Sequence, residues 1–432
     1  MHLDAKVAPA TGMRARSDER QGEAIGRRRI RSIVFLVESL KQPGGTERQC
    51  VELARGLAEL GHRMTVLTLE GTLGLHSDLS VDRGIDLRQI GRSALGRVLS
   101  NLHPKLGQAW DMVRLGIAAS RLPRGHLLVP HHYPAHWAAA VATLLSKRAV
   151  AWISNDWIYS PFPRECARRW GLRRLRRAAM IWLDGMIARR FDLVLVLSNM
   201  TRLQIETGYR IRAQVFRTGA TGPPDLSTDD TARQLTRRRL GVPSDGFVVS
   251  CVCILMPHRR IEDVLGALAA LDPELLHSTY FLHAGGAVDQ AEQSALQHRA
   301  SVLGLSDRVR FLGPVPEKER IQLLRASSVF VFPVERQSWG LAPLEALANG
   351  VPTIISTASG VAEVLHAGLH VDCYEPGDVE TLAAHLRAMH RHPERGVRLA
   401  VAGRRRWEKR FTWTRAARRF ERQLMRLRDL GH

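Results

Sequence analysis

Five short runs of apolar, largely β-branched residues mark the first half of the chain: Ile33 to Val37, Met64 to Leu69, Leu127 to Val129, Val150 to Ile153 and Leu193 to Leu197. Longer stretches with helical spacing separate them. Strands buried on both faces read as continuous apolar runs, and parallel neighbours need a crossover helix, so the alternation predicts βαβ units. It stops near Gly219 to Ser227, where Gly, Pro, Thr and Asp cluster. It resumes with Phe247 to Cys253, Tyr280 to His283, Val309 to Leu312, Val329 to Phe332 and Thr353 to Ile355. The expectation is an α/β protein of two Rossmann-like domains with a linker near residue 225. The expected bounds are a leader over 1–29, a first domain over 30–222, a second over 223–410, and a helix over 411–432 packing across a domain surface.

The length of 432 residues suits two domains, and 45% apolar with 24% charged residues allows ordinary cores. The five cysteines, Cys50, Cys166, Cys251, Cys253 and Cys373, are scattered without a C-x-x-C pair, which fits a reducing compartment. Cys251 and Cys253 share one face of a strand and read as packing residues, with redox or metal chemistry as the alternative. Residues 1–29 lack the apolar stretch of a secretory signal and read as a disordered leader, and no apolar run approaches the ~20 residues that span a bilayer. A cytoplasmic protein is expected, at the inner face of the cell membrane if the basic surface finds lipid.

The 63 basic and 42 acidic residues leave a net charge of +21, which favours acidic partners without choosing among lipid headgroups, nucleic acid and phosphorylated substrates. The bias towards Arg over Lys is equally open to a compositional explanation. Between Arg164 and Arg190, Trp170, Leu172, Leu175, Met180, Ile181, Trp182 and Ile187 are interleaved with arginines. That composition lies on an anionic membrane surface, although the spacing would equally cover a domain core.

Chemistry concentrates in the second half. The run Val329 to Pro333 is a buried strand ending at a proline, and after a polar loop the helical stretch Leu341 to Ala348 begins. Unpaired N–H groups at that helix start favour a diphosphate, Gly340 allows close approach, and Glu345, one turn in, can accept from vicinal hydroxyls as an acidic residue does with ribose. The run from Gln337 to Pro352 resembles the E-x7-E region of the retaining GT-B glycosyltransferases of family four. Ser359-Gly360-Val361-Ala362-Glu363 resembles that family's Gly-Gly-Val-x-Glu element, and Phe311-Leu312-Gly313 and Tyr374 to Asp378 keep the expected order. The resemblance covers residues ~30 to ~410 and is weaker in the first half.

The resemblance implies a nucleotide-sugar donor, UDP- or GDP-linked, held by Gln337, Ser338, Trp339, Gly340, Leu341 and Glu345, with Glu345 on the ribose. The family's first glutamate falls on Gln337, an amide that keeps hydrogen bonding but loses the charge. Where the family has Gly-Arg-Leu and then Lys, this chain has Cys253-Ile254-Leu255, and then Arg259 and Arg260, two guanidiniums able to grip a diphosphate. No metal and no cofactor beyond the donor substrate are implied, because arginines and a helix N-terminus can stabilise the leaving group.

In the first half, Gly44 and Gly45 resemble the family's Gly-Gly loop facing the inter-domain cleft, against the plainer reading of a βα turn capped by Thr46. His131, His132 and Tyr133 follow a strand end, as do Asn155 and Asp156, which stand where relatives have a His-Asp pair. His132 and Asp156 are the expected catalytic residues, facing acceptor or sugar, with turn and cap roles as the alternative. Ser198 matches a strand-ending Ser and reads as structural. The implied reaction is retaining, metal-independent hexosyl transfer to an acceptor hydroxyl, on a lipid-linked or envelope glycan or a small soluble acceptor. A non-catalytic or epimerase-like GT-B protein is the alternative. No nucleic acid is expected, since a nucleic-acid binder would explain the charge and leave the strand-end motifs unexplained.

Overall fold

The computed structural model describes residues 31–41, 44–71, 84–154, 172–224 and 230–429. The expected leader, Asn155 and Asp156, and the centre of the expected linker lie outside these residues.

Among the described residues the first half forms seven parallel strands: β1 (Ser32–Leu40), β2 (Arg63–Gly71), β3 (Ile85–Gln89), β4 (Leu127–Pro130), β5 (Ala151–Ser154), β6 (Leu193–Val196) and β7 (Gln214–Val215). One ladder runs β3-β2-β1-β4 and another β5-β6-β7. Parallel bridges Leu128 to Val150 and His131 to Ile153 join them. The apolar run Ile33–Val37 is buried throughout, as a central parallel strand must be. The half-exposed β3 and the two-residue β7 lie outside the sequence-predicted runs, because neither carries a continuous apolar stretch.

The second half forms β8 (Phe247–Val252), β9 (Thr279–Ala284), β10 (Val309–Phe311), β11 (Val329–Phe332), β12 (Thr353–Ser356) and β13 (Asp372–Tyr374). Their order is β10-β9-β8-β11-β12-β13, again all parallel. In each sheet the strand order reverses once, between β1 and β4 and between β8 and β11. The crevice at such a reversal, beyond the carboxyl ends of the strands, is where open α/β sheets hold ligands.

The chain then returns to its first half. The helix Trp413–Asp429 packs on the helix Gly45–Glu59, with Ala417 against Gly56 and Phe420 between Phe35 and Phe216, at ring distances of 6.4 and 5.4 Å. Trp407 Nε1 donates to the Ala220 carbonyl at 3.1 Å, so the last two helices tie both halves into one continuous apolar core.

Candidate functional site

The two crevices face each other. On the second sheet, β11 ends at Phe332, just before Pro333, and Gly340 is the N-cap of the helix Leu341–Ala348, with no side chain capping its first N–H groups. The macrodipole and those free donors make this start anion-ready. A Cβ on Gly340 would fall 2.9 Å from Pro343 Cγ and 3.0 Å from Val361 Cγ1, so no larger residue fits unmoved. A Cβ on Gly360 would lie 2.0 Å from the Ser338 carbonyl oxygen, and its N–H donates to the Gln337 carbonyl at 2.8 Å. These two glycines let the loop 337–340 lie against the segment 358–360.

On the first sheet, the helix Gly45–Glu59 follows β1 with Gly44 at its N-cap. A Cβ on Gly45 would meet Leu341 at 3.5 Å, which places the Gly-Gly loop over the helix start expected to take the diphosphate. The capping role offered for Thr46 is not observed, since Gly44 occupies the cap position.

Arg259 and Gln337, read from separate motifs, are brought together: Arg259 Nη1 donates to Gln337 Oε1 at 2.5 Å, and the Arg259 Nε is buried without a hydrogen-bond partner among the described residues. Arg260 takes another direction. It sits at φ 47° and gives Nε and Nη2 to the two Asp263 oxygens at 2.8 and 2.7 Å. That fork, with Asp263 and Glu262 beside it, raises its pKa further above the usual guanidinium range. Of the pair, Arg259 is the one turned to the loop 337–340. Ser338 and Trp339 are buried in that loop, Trp339 stacking edgewise on Phe411 at 5.9 Å.

Glu345 is 4% exposed and both its oxygens are engaged. Arg48, on the helix Gly45–Glu59, donates to Oε1 at 2.8 Å, and Arg320 donates to Oε2. Glu317 completes the group, 3.0 Å from Arg48 and 3.3 Å from Arg320. Burial disfavours the Arg48 charge, but Glu345 and Glu317 hold its pKa above the usual value. Sequence reasoning missed Arg48, Glu317 and Arg320. Arg48 stands three residues after Gly45, and that closeness to the Gly-Gly pair was the available signal, whereas nothing local marks Arg320.

His131 and His132 end β4 as expected, with rings 4.6 Å apart. His132 is 5% exposed at φ 69°, and its ring hydrogen-bonds the Thr46 backbone. Burial pushes its pKa down to about 3, and burial beside His132 takes His131 well below the ordinary value, so both rings are neutral at pH 7. Neither ring nitrogen of His131 has a partner among the described residues. His132 thus joins the two loops at the first crevice, while Asp156 lies outside the described residues.

A second contact closes the halves together. Glu363 accepts from the N–H groups of Asn199 and Met200 at 2.9 Å each, at the start of the helix Asn199–Tyr209. Ser198 caps the same helix through Thr201 N–H at 3.1 Å, the structural role read for it.

Two doubly wound parallel sheets whose ligand crevices oppose each other define a GT-B protein. A family model described as Glycosyltransferase Family 4 matches residues 43–219, and one described as Glycosyl transferases group 1 matches residues 232–406. The chain belongs to the GT-B glycosyltransferases of family four. It is similar to the D-inositol 3-phosphate glycosyltransferase of Geodermatophilus obscurus, 27% identical over 409 residues that cover 90% of this chain and 87% of that one. It is 30% identical over 193 residues to the mannosylfructose-phosphate synthase of Agrobacterium fabrum, 43% of this chain and 41% of that one. Among solved structures, Anabaena HepE in complex with UDP-glucose superposes with a TM-score of 0.73 at 20% identity, over 91% of this chain and 99% of that one.

Proposed function

We propose that the protein transfers a hexosyl unit from a UDP- or GDP-sugar to an acceptor hydroxyl, with retention and without a catalytic metal. The observation that carries this reading is the convergence of Arg259 and Gln337 beside an uncapped helix start that Gly45 overlies. In this mechanism Arg259 and the N–H groups after Gly340 take the developing charge of the departing diphosphate. Gln337 orients the sugar, and Glu345 uses its remaining lone pairs on the ribose hydroxyls. Neutral His132, held by the Thr46 backbone, offers a hydrogen bond to sugar or acceptor, and Asp156 stands as the second expected catalytic residue. The two halves hold both substrates in one geometry, so positioning supplies much of the rate.

A lipid-linked or envelope glycan is the proposed acceptor. The helix Leu172–Ala188 supports it: Asp184, bonded to His136 and Trp137 at 3.0 and 2.7 Å, anchors one face inside, while Leu175, Arg176 and Trp182 are exposed. Leu95, Val98 and Leu102 form a second exposed apolar row on the helix Ala94–Leu102. No described helix is long and apolar enough to cross a membrane, so any contact with lipid would be from one side. The likeness to D-inositol 3-phosphate glycosyltransferase over most of the chain favours a second reading, a small phosphorylated acceptor.

Calorimetric titration with UDP, GDP, ADP and their sugar conjugates in EDTA tests the donor site, beside Glu345→Ala and Arg259→Ala variants. One nucleotide family should bind, and both variants should lose it by tenfold or more. No binding to any of them would favour the non-catalytic reading. Turnover without acceptor product would favour the epimerase-like one.

A further inference from the structure

We propose that Cys251, Cys253 and His283 form a binding site for one zinc ion, built into the second sheet and separate from the transfer reaction. The ladder places Cys251 directly opposite His283 on β9, and the strand period of two brings Cys253 to the same face. The two sulfurs are 3.6 Å apart, Cys253 Sγ is 3.6 Å from His283 Nε2, and all three donor atoms lie within 4.8 Å of one another. A tetrahedral zinc ion with Zn–S of about 2.3 Å and Zn–N of about 2.0–2.1 Å requires ligand-to-ligand edges of roughly 3.4–3.8 Å. The S···S and S···N separations of 3.6 Å match those edges.

The surroundings favour a soft cation. Cys251 and His283 are fully buried, and the His283 Nδ1 has no partner among the described residues. A buried imidazole whose best contact is a thiol leaves polar atoms poorly satisfied, a cost that a metal bond at Nε2 offsets. Two thiolates and a neutral imidazole around Zn²⁺ sum to zero charge, which suits a buried position. Both cysteines would bind the ion as thiolates. Binding releases the thiol protons to solvent and leaves one tetrahedral position for water. Cys253 roots the segment that leads to Arg259, so the ion fixes the base of that segment.

Reduced, chelator-treated protein titrated with Co²⁺ should take up one equivalent. A near-ultraviolet thiolate-to-cobalt band should appear, and Zn²⁺ should displace it. Cys253→Ser and His283→Asn should abolish the band, Cys50→Ser should keep it, and zinc should raise the Tm of the native protein but not of Cys253→Ser. On the native protein alone, zinc should slow alkylation of Cys253 at least tenfold. No band, no protection, retention of the band in Cys253→Ser, or a Cys251–Cys253 disulfide in place of bound metal would each overturn the proposal. The readout is the ion itself, so the result is independent of donor binding.

Discussion

Arg48 Nη1 lies 2.8 Å from Glu345 Oε1, so the helix that follows the first sheet's glycine pair holds the carboxylate proposed to meet the donor ribose. With Arg320 and Glu317 the cluster is neutral and nearly closed to solvent, at side-chain exposures of 5–17%. Removing one charge strands the others. Arg48→Met should therefore cost about 3–5 kcal/mol of unfolding free energy. Denaturant melts of the variant and native protein measure it. A loss under 1 kcal/mol would mean that water reaches the cluster and that the contact is marginal.

Arg259 and Arg260 should part company on substitution. Arg259 reaches Gln337 and keeps a buried Nε with no partner among the described residues, so Arg259→Ala should raise the donor KM or Kd by about 10- to 100-fold, as expected for a lost charge-assisted contact of about 1.5–3 kcal/mol. Its melting should change little. Arg260 is spent on Asp263, so Arg260→Asn, which tolerates the positive φ, should lower stability and leave donor affinity within about threefold. Binding isotherms and melts of the two variants separate the roles, and equal effects on donor affinity would refute the division.

Much of this was legible in the residues. The alternation of apolar runs and helical stretches foretold two parallel sheets, and the placement of Gly340 and Glu345 followed from strand-end position, while Gly45 and Gln337 came through the family resemblance. What sequence could not hold was pairing across the cleft. Arg48 and Glu345 are 297 residues apart, and their contact depends on how two separately wound sheets settle against each other. The division between Arg259 and Arg260 was hidden for a local reason: the left-handed turn at Arg260 swings neighbouring side chains to different partners. The final helix packs across a domain surface as expected, but that the surface belongs to the first half, reached through Phe420, was not in its composition.

The proposed membrane contact would run through the exposed residues of the helix Leu172–Ala188. Co-sedimentation with phosphatidylglycerol vesicles should exceed that with phosphatidylcholine and fall with salt, since headgroup attraction is screened beyond about 8–10 Å. Trp182→Ser, at a side chain 61% exposed, should weaken it several-fold without altering the Tm. Indifference to both lipid charge and Trp182 would direct attention to the small phosphorylated acceptor instead.

His132 makes the pH dependence of stability predictable. Its pKa is about 3 in the folded protein against 6.5 for the free side chain. Between those values the unfolded chain binds a proton that the folded protein refuses. Its contribution is thus complete above pH 6.5 and is lost as pH falls towards 3, at up to about 1.4 kcal/mol per pH unit. His131, depressed for the same reason of burial, adds to the slope in the same direction. His132→Asn, a residue that accepts the left-handed backbone at φ 69°, should flatten the curve between pH 6 and 4 relative to the native protein. Denaturant midpoints across that range measure it. Because the ring stays neutral from pH 5 to 8, the pH profile of transfer should carry no inflection from His132 in that range. An inflection near pH 6.5 that disappears in His132→Asn would show the ring exposed and protonating during turnover.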